Sequence, residues 1–301
     1  MAIVLGPNQY GKAENRLVTV TRDGSAHTIR DLTVSTSLRG DLADTHLTGD
    51  NSKVLATDTQ KNTVYAFARQ APIGRIEDFA LRLGRHFVSS QEAITGARVL
   101  VDEHSWDRIE GNGHSFVQGT NEKRTTAVTV DGDRAWVVSG VRDVVVLKST
   151  GSEFHGFPRD EYTTLKETDD RILATSVTAR WRYQGFGGAG GPIAAEVDWA
   201  ESFAEIRRLL LTTFATKHSL SLQQTLYAMG EAVLRARPEV AEVRLSMPNK
   251  HHFAVDLSPF GLENDNEVFY AADRPYGLIE GTVLRDDAED AGSAWYALPT
   301  F

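Results

Sequence analysis

Residues 152–183, SEFHGFPRDEYTTLKETDDRILATSVTARWRY, lie at the middle of the 301-residue chain, and their pattern decides how the rest is interpreted. The second part of this stretch alternates between two kinds of side chain, which predicts a strand with one buried face. The buried face is assigned Leu173, Thr175, Val177, Ala179, Trp181 and Tyr183, and the other face Ile172, Ser176, Arg180 and Arg182.

Two residues of this stretch are candidates for a binding site. Arg171 has the parity of the buried face, so its guanidinium is predicted to point inward and needs either a carboxylate or a ligand as acceptor. Phe154 lies in a loop between Gly151 and Gly156, where the backbone can approach a flat molecule. Taken by themselves, these residue types favour a packed phenylalanine and a salt-bridged arginine.

The composition narrows the class of protein. A hydrophobic share of 41% is ordinary for a globular chain, and a net charge of −9 argues against nucleic acid or an anionic membrane as the main partner. There are no cysteines, so disulfides, thiolate nucleophiles and thiolate metal sites are excluded. No apolar run approaches the roughly 20 residues of a membrane span, and the opening residues do not resemble a signal peptide. We therefore expect a cytoplasmic protein.

The pattern of the first half of the chain predicts two strands, then two helices, then further strands. Asp58 is a candidate N-cap for a helix from Thr59 to about Arg69, and Thr57 precedes it. A Thr-Asp pair before a helix is most often a cap, although free N–H groups there also suit an anionic ligand. A second helix is predicted from one apolar stripe at spacings of three and four, Ile76, Phe79, Leu83 and Phe87.

The strands predicted around these helices cover residues 16–22, 28–39, 98–105, 125–130 and 134–148. In the second of them one face is assigned Leu32, Val34, Thr36 and Leu38. Residues 131–133, Asp-Gly-Asp, predict a hairpin turn between the last two strands.

The second half repeats this order. Asp198 and Ser221 each open a predicted helix, and both fit a capping-box pattern with Glu201 and Gln224 three residues on. Leu222 and Gln223 therefore lie in a first turn, where backbone N–H groups are unpaired, although an exposed glutamine is the commoner case. Two strands are predicted at residues 243–247 and 249–258, and a short one at 278–284.

The histidines of the chain do not predict a metal site. Along the strand from Asn249, period-two geometry points Asn249, His251 and Phe253 inward and His252 outward, which disfavours a two-histidine metal clamp. His104 and His114 lack a third ligand at convincing spacing and are interpreted as structural. The glycine-rich residues 185–192 lack the context of a phosphate-binding loop and are predicted to be a hairpin connection.

The run FHGF-x-RDEYTTLKETDDRIL, residues 154–173, resembles the central signature of the urate oxidase (uricase) family. The resemblance extends over most of the chain, through the segments 10–12, 51–63, 122–124, 221–227 and 245–251. It implies oxidation of urate by molecular oxygen to 5-hydroxyisourate and hydrogen peroxide, with no metal and no organic cofactor. It also implies a tunnelling fold (T-fold), in which α+β repeats with antiparallel sheets and helices on one face close a barrel by oligomerisation.

The resemblance assigns roles to particular residues. Phe154 would stack on the urate ring, and Arg171 and Gln223 would hold opposite edges of the purine. The backbone amides of Leu222 and Asp58 would complete the plane. Lys12, Thr57 and His251 would form a proton relay, and Thr57 and Asn249 would place oxygen and then water above the ring.

The organisation expected from the resemblance is two tandem repeats, residues 1–150 and 151–301, in a homotetramer with sites at subunit interfaces. One alternative is another T-fold enzyme acting on a related purine or pterin, such as a pterin aldolase or a cyclohydrolase. The cyclohydrolase branch usually needs a zinc site that this chain lacks. A purine-binding protein without turnover is ranked lowest, because it could dispense with the three relay residues.

Overall fold

The computed structural model describes residues 1–184 and 197–297. The eight strands of this part are β1 (Tyr10–Asp23), β2 (Ala26–Gly40), β3 (Ile94–Arg108), β4 (Phe116–Asp131), β5 (Arg134–Lys148), β6 (Leu173–Tyr183), β7 (Val240–Ala254) and β8 (Phe269–Leu284). Its α-helices are α1 (Ala43–Leu47), α2 (Thr57–Gln70), α3 (Ile76–Ser90), α4 (Trp199–Thr216) and α5 (Leu222–Ala236). None of these helices is long and apolar enough to span a membrane.

All eight strands form one antiparallel sheet, and their order in the sheet is their order in the chain. The predicted turn between β4 and β5 is present: Asp131 pairs with Arg134, and Gly132 takes a positive φ of 56° that only glycine adopts without strain. The elements run as two strands, helices and two strands, and then repeat that order. The fold is therefore α+β, as expected.

The main core lies between one face of the sheet and the long helices. The alternation predicted for β2 is confirmed, since Leu32, Val34, Thr36 and Leu38 are buried. The stripe predicted for α3 is confirmed as well, because Ile76, Phe79, Leu83 and Phe87 are fully buried.

The opposite face of the sheet is partly covered by residues 285–297. Trp295 and Ala294 pack in a second apolar cluster with Trp136 and Val138 of β5, which alternate with the residues of the main core. Arg182 of β6 is directly opposite Val138 in the sheet and therefore lies on this face, as the alternation of β6 predicts. It is buried, because Glu242 pairs with it and the carbonyl of Glu289 accepts its hydrogen bond at 2.9 Å.

Several predicted boundaries needed correction. Tyr10–Lys12 belong to β1, where they were expected to precede it, and the two strands predicted at 243–258 are the single strand β7. β8 is also much longer than predicted, beginning at Phe269. The short helix α1 carried no periodic signal. The predicted hairpin at 185–192 lies outside the described residues.

Candidate active site

A cavity of about 620 Å³ lies where the loop before β6, the start of α5 and strand β7 meet. Six of the nine residues that the sequence singled out line it: Phe154, Arg171, Leu222, Gln223, Asn249 and His251. All of the lining residues in the described part of the chain come from the region after residue 153.

The loop that carries Phe154 is held at several points. Phe154 and Thr168 exchange backbone hydrogen bonds of 2.8 and 3.1 Å, and Ser152 forms a parallel bridge with Ser219 before α5. Gly151 and Gly156 both have a φ of 72°, so the loop needs glycine on each side of Phe154. These contacts fix the position of the Phe154 ring, which stacks on Phe157 with centroids 5.0 Å apart.

Arg171 is partly buried against the cavity. Its backbone N–H donates to the Ser152 carbonyl at 2.7 Å, and its guanidinium carbon lies 5.1 Å from the centroid of the Phe154 ring. Burial lowers the pKa of the guanidinium. None of the ion pairs found in residues 1–184 and 197–297 includes Arg171. Of the two acceptors that the sequence left open, the carboxylate is therefore not found.

The start of α5 is capped as predicted. The Ser221 side chain accepts from the Gln224 backbone N–H at 3.2 Å. The Gln224 side chain reaches one residue further back than in a capping box and accepts from the Leu220 N–H at 3.0 Å. This cap fixes the first turn, where Leu222 is buried and Gln223 lines the cavity.

Strand β7 departs from strict alternation beside the cavity. Its pairing with β8 shifts register between Asn249 and His251, so a bulge interrupts the period of two. His252 consequently lines the cavity together with His251, which corrects its predicted orientation. Phe253 also lines the cavity, although it is largely exposed, and its ring stacks on that of His251 with centroids 5.6 Å apart. Burial, and then the charges of Arg171 and His252, lower the pKa of His251. His251 therefore stays neutral, and able to accept a proton, at lower pH than an ordinary histidine.

The other three predicted residues lie together outside this cavity, on β1 and the start of α2. The first turn of α2 contains Thr57 and Asp58, and α2 packs against β1, which carries Lys12. The Lys12 backbone N–H donates to the Thr36 hydroxyl at 3.3 Å, and that hydroxyl donates to Gln60 of α2 at 2.7 Å. This chain of hydrogen bonds fixes β1 relative to α2.

Asp58 does not cap α2. The helix begins at Thr57, two residues earlier than predicted, after Ala56, which provides no side-chain cap. The exposed Asp58 carboxylate instead bonds Lys61 and Asn62, and the bond with Lys61 is the main cause of its lowered pKa, to which the Lys12 charge also contributes. Lys12 and Asp58 are therefore close enough to interact electrostatically.

The sequence reasoning missed some lining residues of the cavity. Lys166 and Glu167 lie within the quoted central stretch but carried no pattern of their own. Asn266 follows η1 (Ser258–Phe260) and comes from a loop without periodicity. Because that loop follows no periodic pattern, no local signal in the sequence could have placed this asparagine at the cavity.

Neither His104 nor His114 belongs to a group of possible metal ligands in the described part of the chain. His104 does have a structural role, since its ring contacts the Thr33 hydroxyl at 2.8 Å. A cluster that the sequence did not suggest brings possible ligand atoms of Glu153, His155 and Asp169 within 4.8 Å of one another. Glu153 already bonds the rings of His155 and His218 at 2.7 Å each, so its carboxylate is satisfied within the chain.

Comparison with known proteins agrees with the resemblance seen in the sequence. The family model described as Uricase matches residues 8–129 and 137–280. The uricase of Arthrobacter globiformis is 53% identical over 299 residues, covering 99% of this chain and 96% of that protein, and the uricase of Dictyostelium discoideum is 40% identical over 286 residues, with coverages of 92% and 96%.

Solved structures give the same result. The crystal structure of the A. globiformis uricase superposes with a TM-score of 0.92 and covers 98% of this chain and 99% of that one. A uricase from Bacillus fastidious, at 25% identity, superposes with a TM-score of 0.78 over 94% and 95% of the two chains. The chain therefore belongs to the uricase family.

Proposed function

We propose that this chain, a urate oxidase by family, converts urate and molecular oxygen to 5-hydroxyisourate and hydrogen peroxide without a metal or an organic cofactor. The reaction removes two electrons from urate, which pass to oxygen, and a water molecule supplies the new hydroxyl group. It would serve purine degradation.

The observation that carries this proposal is the partly buried Arg171 without a carboxylate partner in the described chain, beside Phe154 and across the cavity from the first turn of α5. A guanidinium donates two parallel N–H groups, which match the carbonyl-rich edge of an anionic purine. Gln223 would hold the opposite edge, and its amide can both donate and accept. Phe154 would stack on the ring, and the Leu222 amide would donate in its plane.

The chemistry explains why a cofactor is not required. Deprotonated urate is an electron-rich heterocycle that can itself reduce oxygen, as a reduced flavin does. The protein has to hold the anion, remove protons and stabilise the charge that develops on oxygen. In this proposal Lys12 activates the Thr57 hydroxyl and His251 passes the proton on. Thr57 and Asn249 hold oxygen, and later water, above the ring.

The separation of Lys12, Thr57 and Asp58 from the cavity suggests that each active site is shared. Among the strands of the described chain, β1 pairs only with β2 and β8 only with β7, so both edges of this sheet offer unpaired backbone groups. Exposed apolar side chains lie on both edge strands, including Val18 of β1 and Leu278 of β8. We propose that copies of the chain join at these edges into a barrel and a homotetramer, which would bring Lys12 of one copy to the cavity of another.

We also propose that the chain consists of two tandem T-fold repeats, for which the resemblance implies residues 1–150 and 151–301. The repeated order of strand pairs and helices supports two repeats but places their boundary earlier in the chain. That order assigns β5 to the second repeat, so it favours a boundary at the turn between β4 and β5.

A paired assay on chelator-treated protein tests the reaction. Loss of urate absorbance is followed in parallel with oxygen uptake and peroxide release, and we expect the three in equal amounts without added metal. Urate binding without oxygen uptake would refute the oxidase proposal, and activity that returns only after a metal is added would refute its cofactor-free mechanism.

A further inference from the structure

Thr175 of β6 has a buried hydroxyl without a hydrogen-bond partner in residues 1–184 and 197–297. Its side chain is fully buried, with 0% exposed. Such a group destabilises a fold, because it gives up its hydrogen bonds to water and gains none in return. Valine has the same shape without that cost, so the presence of threonine here calls for an explanation.

The position of Thr175 in the sheet explains why a threonine is found there. Its partner across the sheet is Asn249 of β7, which lines the cavity. Residues directly opposite each other in an antiparallel pair point to the same face, with Cβ atoms roughly 4.5–5.5 Å apart. A hydroxyl on one and a carboxamide on the other can therefore reach hydrogen-bonding distance by rotation of the asparagine side chain.

Neighbouring buried hydroxyls show what is unusual about Thr175. The Ser152 hydroxyl accepts from the Arg171 Nε at 3.4 Å, and the hydroxyls of Ser219 and Thr225 are 2.5 Å apart. All three are fully buried near cavity residues and have partners within the chain. Across the described residues, Thr175 is the only buried hydroxyl left without one.

We propose that Thr175 is a positioning residue that orients Asn249. Its hydroxyl donates to the Asn249 Oδ1 and thereby turns the Nδ2 group toward the cavity. A carboxamide has an accepting end and a donating end, and only the donating end stabilises an oxygen atom that is gaining negative charge. This inference rests on the role proposed above for Asn249.

The first test compares Thr175→Val with Thr175→Ser. Thr175→Val should lower kcat about tenfold, because losing a group that orients a functional side chain commonly has an effect of this size. KM for urate should change less than about twofold. The thermal midpoint should change little, because valine keeps the shape of threonine and the partly buried Asn249 carboxamide can bond to water instead. Thr175→Ser keeps the hydroxyl and should restore most of kcat.

Thr126→Val is the matched control, a buried strand threonine whose hydroxyl donates to the Val138 carbonyl at 3.3 Å. It should lower the thermal midpoint and leave kcat unchanged. If Thr175→Val behaves like this control, Thr175 is structural and the proposal is wrong.

A double-mutant cycle separates this inference from the role of Asn249. If Thr175 acts through Asn249, then Thr175→Val should not lower kcat further in an Asn249→Ala background. A further fall equal to that seen in the wild type overturns the inference. If Asn249→Ala alone keeps full kcat, the role proposed for Asn249 fails. If Asn249→Ala lowers kcat and Thr175→Val does not, only the Thr175 inference fails.

Discussion

The starts of α2 and α5 carry predicted site residues in the first and second halves of the chain, but their backbone N–H groups are capped differently. At α5, Ser221 caps the helix, and the first turn lies against the cavity. At α2, Ala56 provides no side-chain cap, and Asp58 is exposed in the first turn. The start of α5 is capped within its own chain, whereas the start of α2 has no side-chain cap among the described residues. This difference agrees with the proposal that α2 offers its free N–H groups to a substrate held by a second copy.

The largest expected effect on kcat is that of replacing Lys12, which lies on β1 beside α2. Lys12→Met should lower kcat by about 10²–10⁴-fold, the usual contribution of a general acid–base group. KM for urate should change little, because Phe154, Arg171 and Gln223, which are proposed to hold the purine, are left intact. Steady-state kinetics measure both values.

Lys53→Met is a suitable control, because Lys53 is a partly exposed lysine paired with Asp41 and Asp44 outside the cavity. It should leave kcat near the wild-type value. Equal losses of kcat and urate affinity in Lys12→Met would point to a structural role and remove the functional contrast between the two helix starts.

Mixing two inactive variants tests whether the two helix starts meet between copies. Lys12→Met and Arg171→Gln should each be inactive alone, but after subunit exchange a mixed pair has one intact shared site. Random pairing in a symmetric assembly then restores about a quarter of wild-type activity.

Arg171→Gln mixed with Gln223→Ala is the control for this experiment. Both changes lie in the same cavity, so every site in a mixed pair keeps one defect and activity should not return. No recovery in the first mixture would contradict the shared site and require Lys12 to act within its own chain.

The smallest expected effect concerns the caps themselves. Ser221→Ala should lower the free energy of unfolding by about 1 kcal/mol, because an N–H group of α5 loses its acceptor. Ala56→Ser adds a cap to α2 and should raise stability, while competing with any ligand for the same N–H groups. Urea unfolding and urate KM report the two effects, and a loss of stability in Ala56→Ser would mean that α2 is already satisfied by other groups.

The sequence predicted those parts of the site whose structure depends only on residues close together in the chain. The buried face of β6, the cap at Ser221 and the loop with Phe154 all follow from residue spacing and turn chemistry. The bulge after Asn249, the burial of Arg182 beneath residues 285–297 and the true start of α2 depend on distant parts of the chain. The grouping of Lys12 with Thr57 needed the resemblance, because β1 and α2 are about 45 residues apart and share no motif.

The order of the strands has a consequence for how the molecule folds. Since each strand pairs with its neighbour in sequence, most pairings close short loops and cost little chain entropy. The loop between β5 and β6 is a longer closure, and it carries Phe154 and Arg171. Because all of the described residues that line the cavity come after residue 153, a folding intermediate with only the second half of the sheet would already hold the cavity. It would lack Lys12 and Thr57, which the first half of the chain carries.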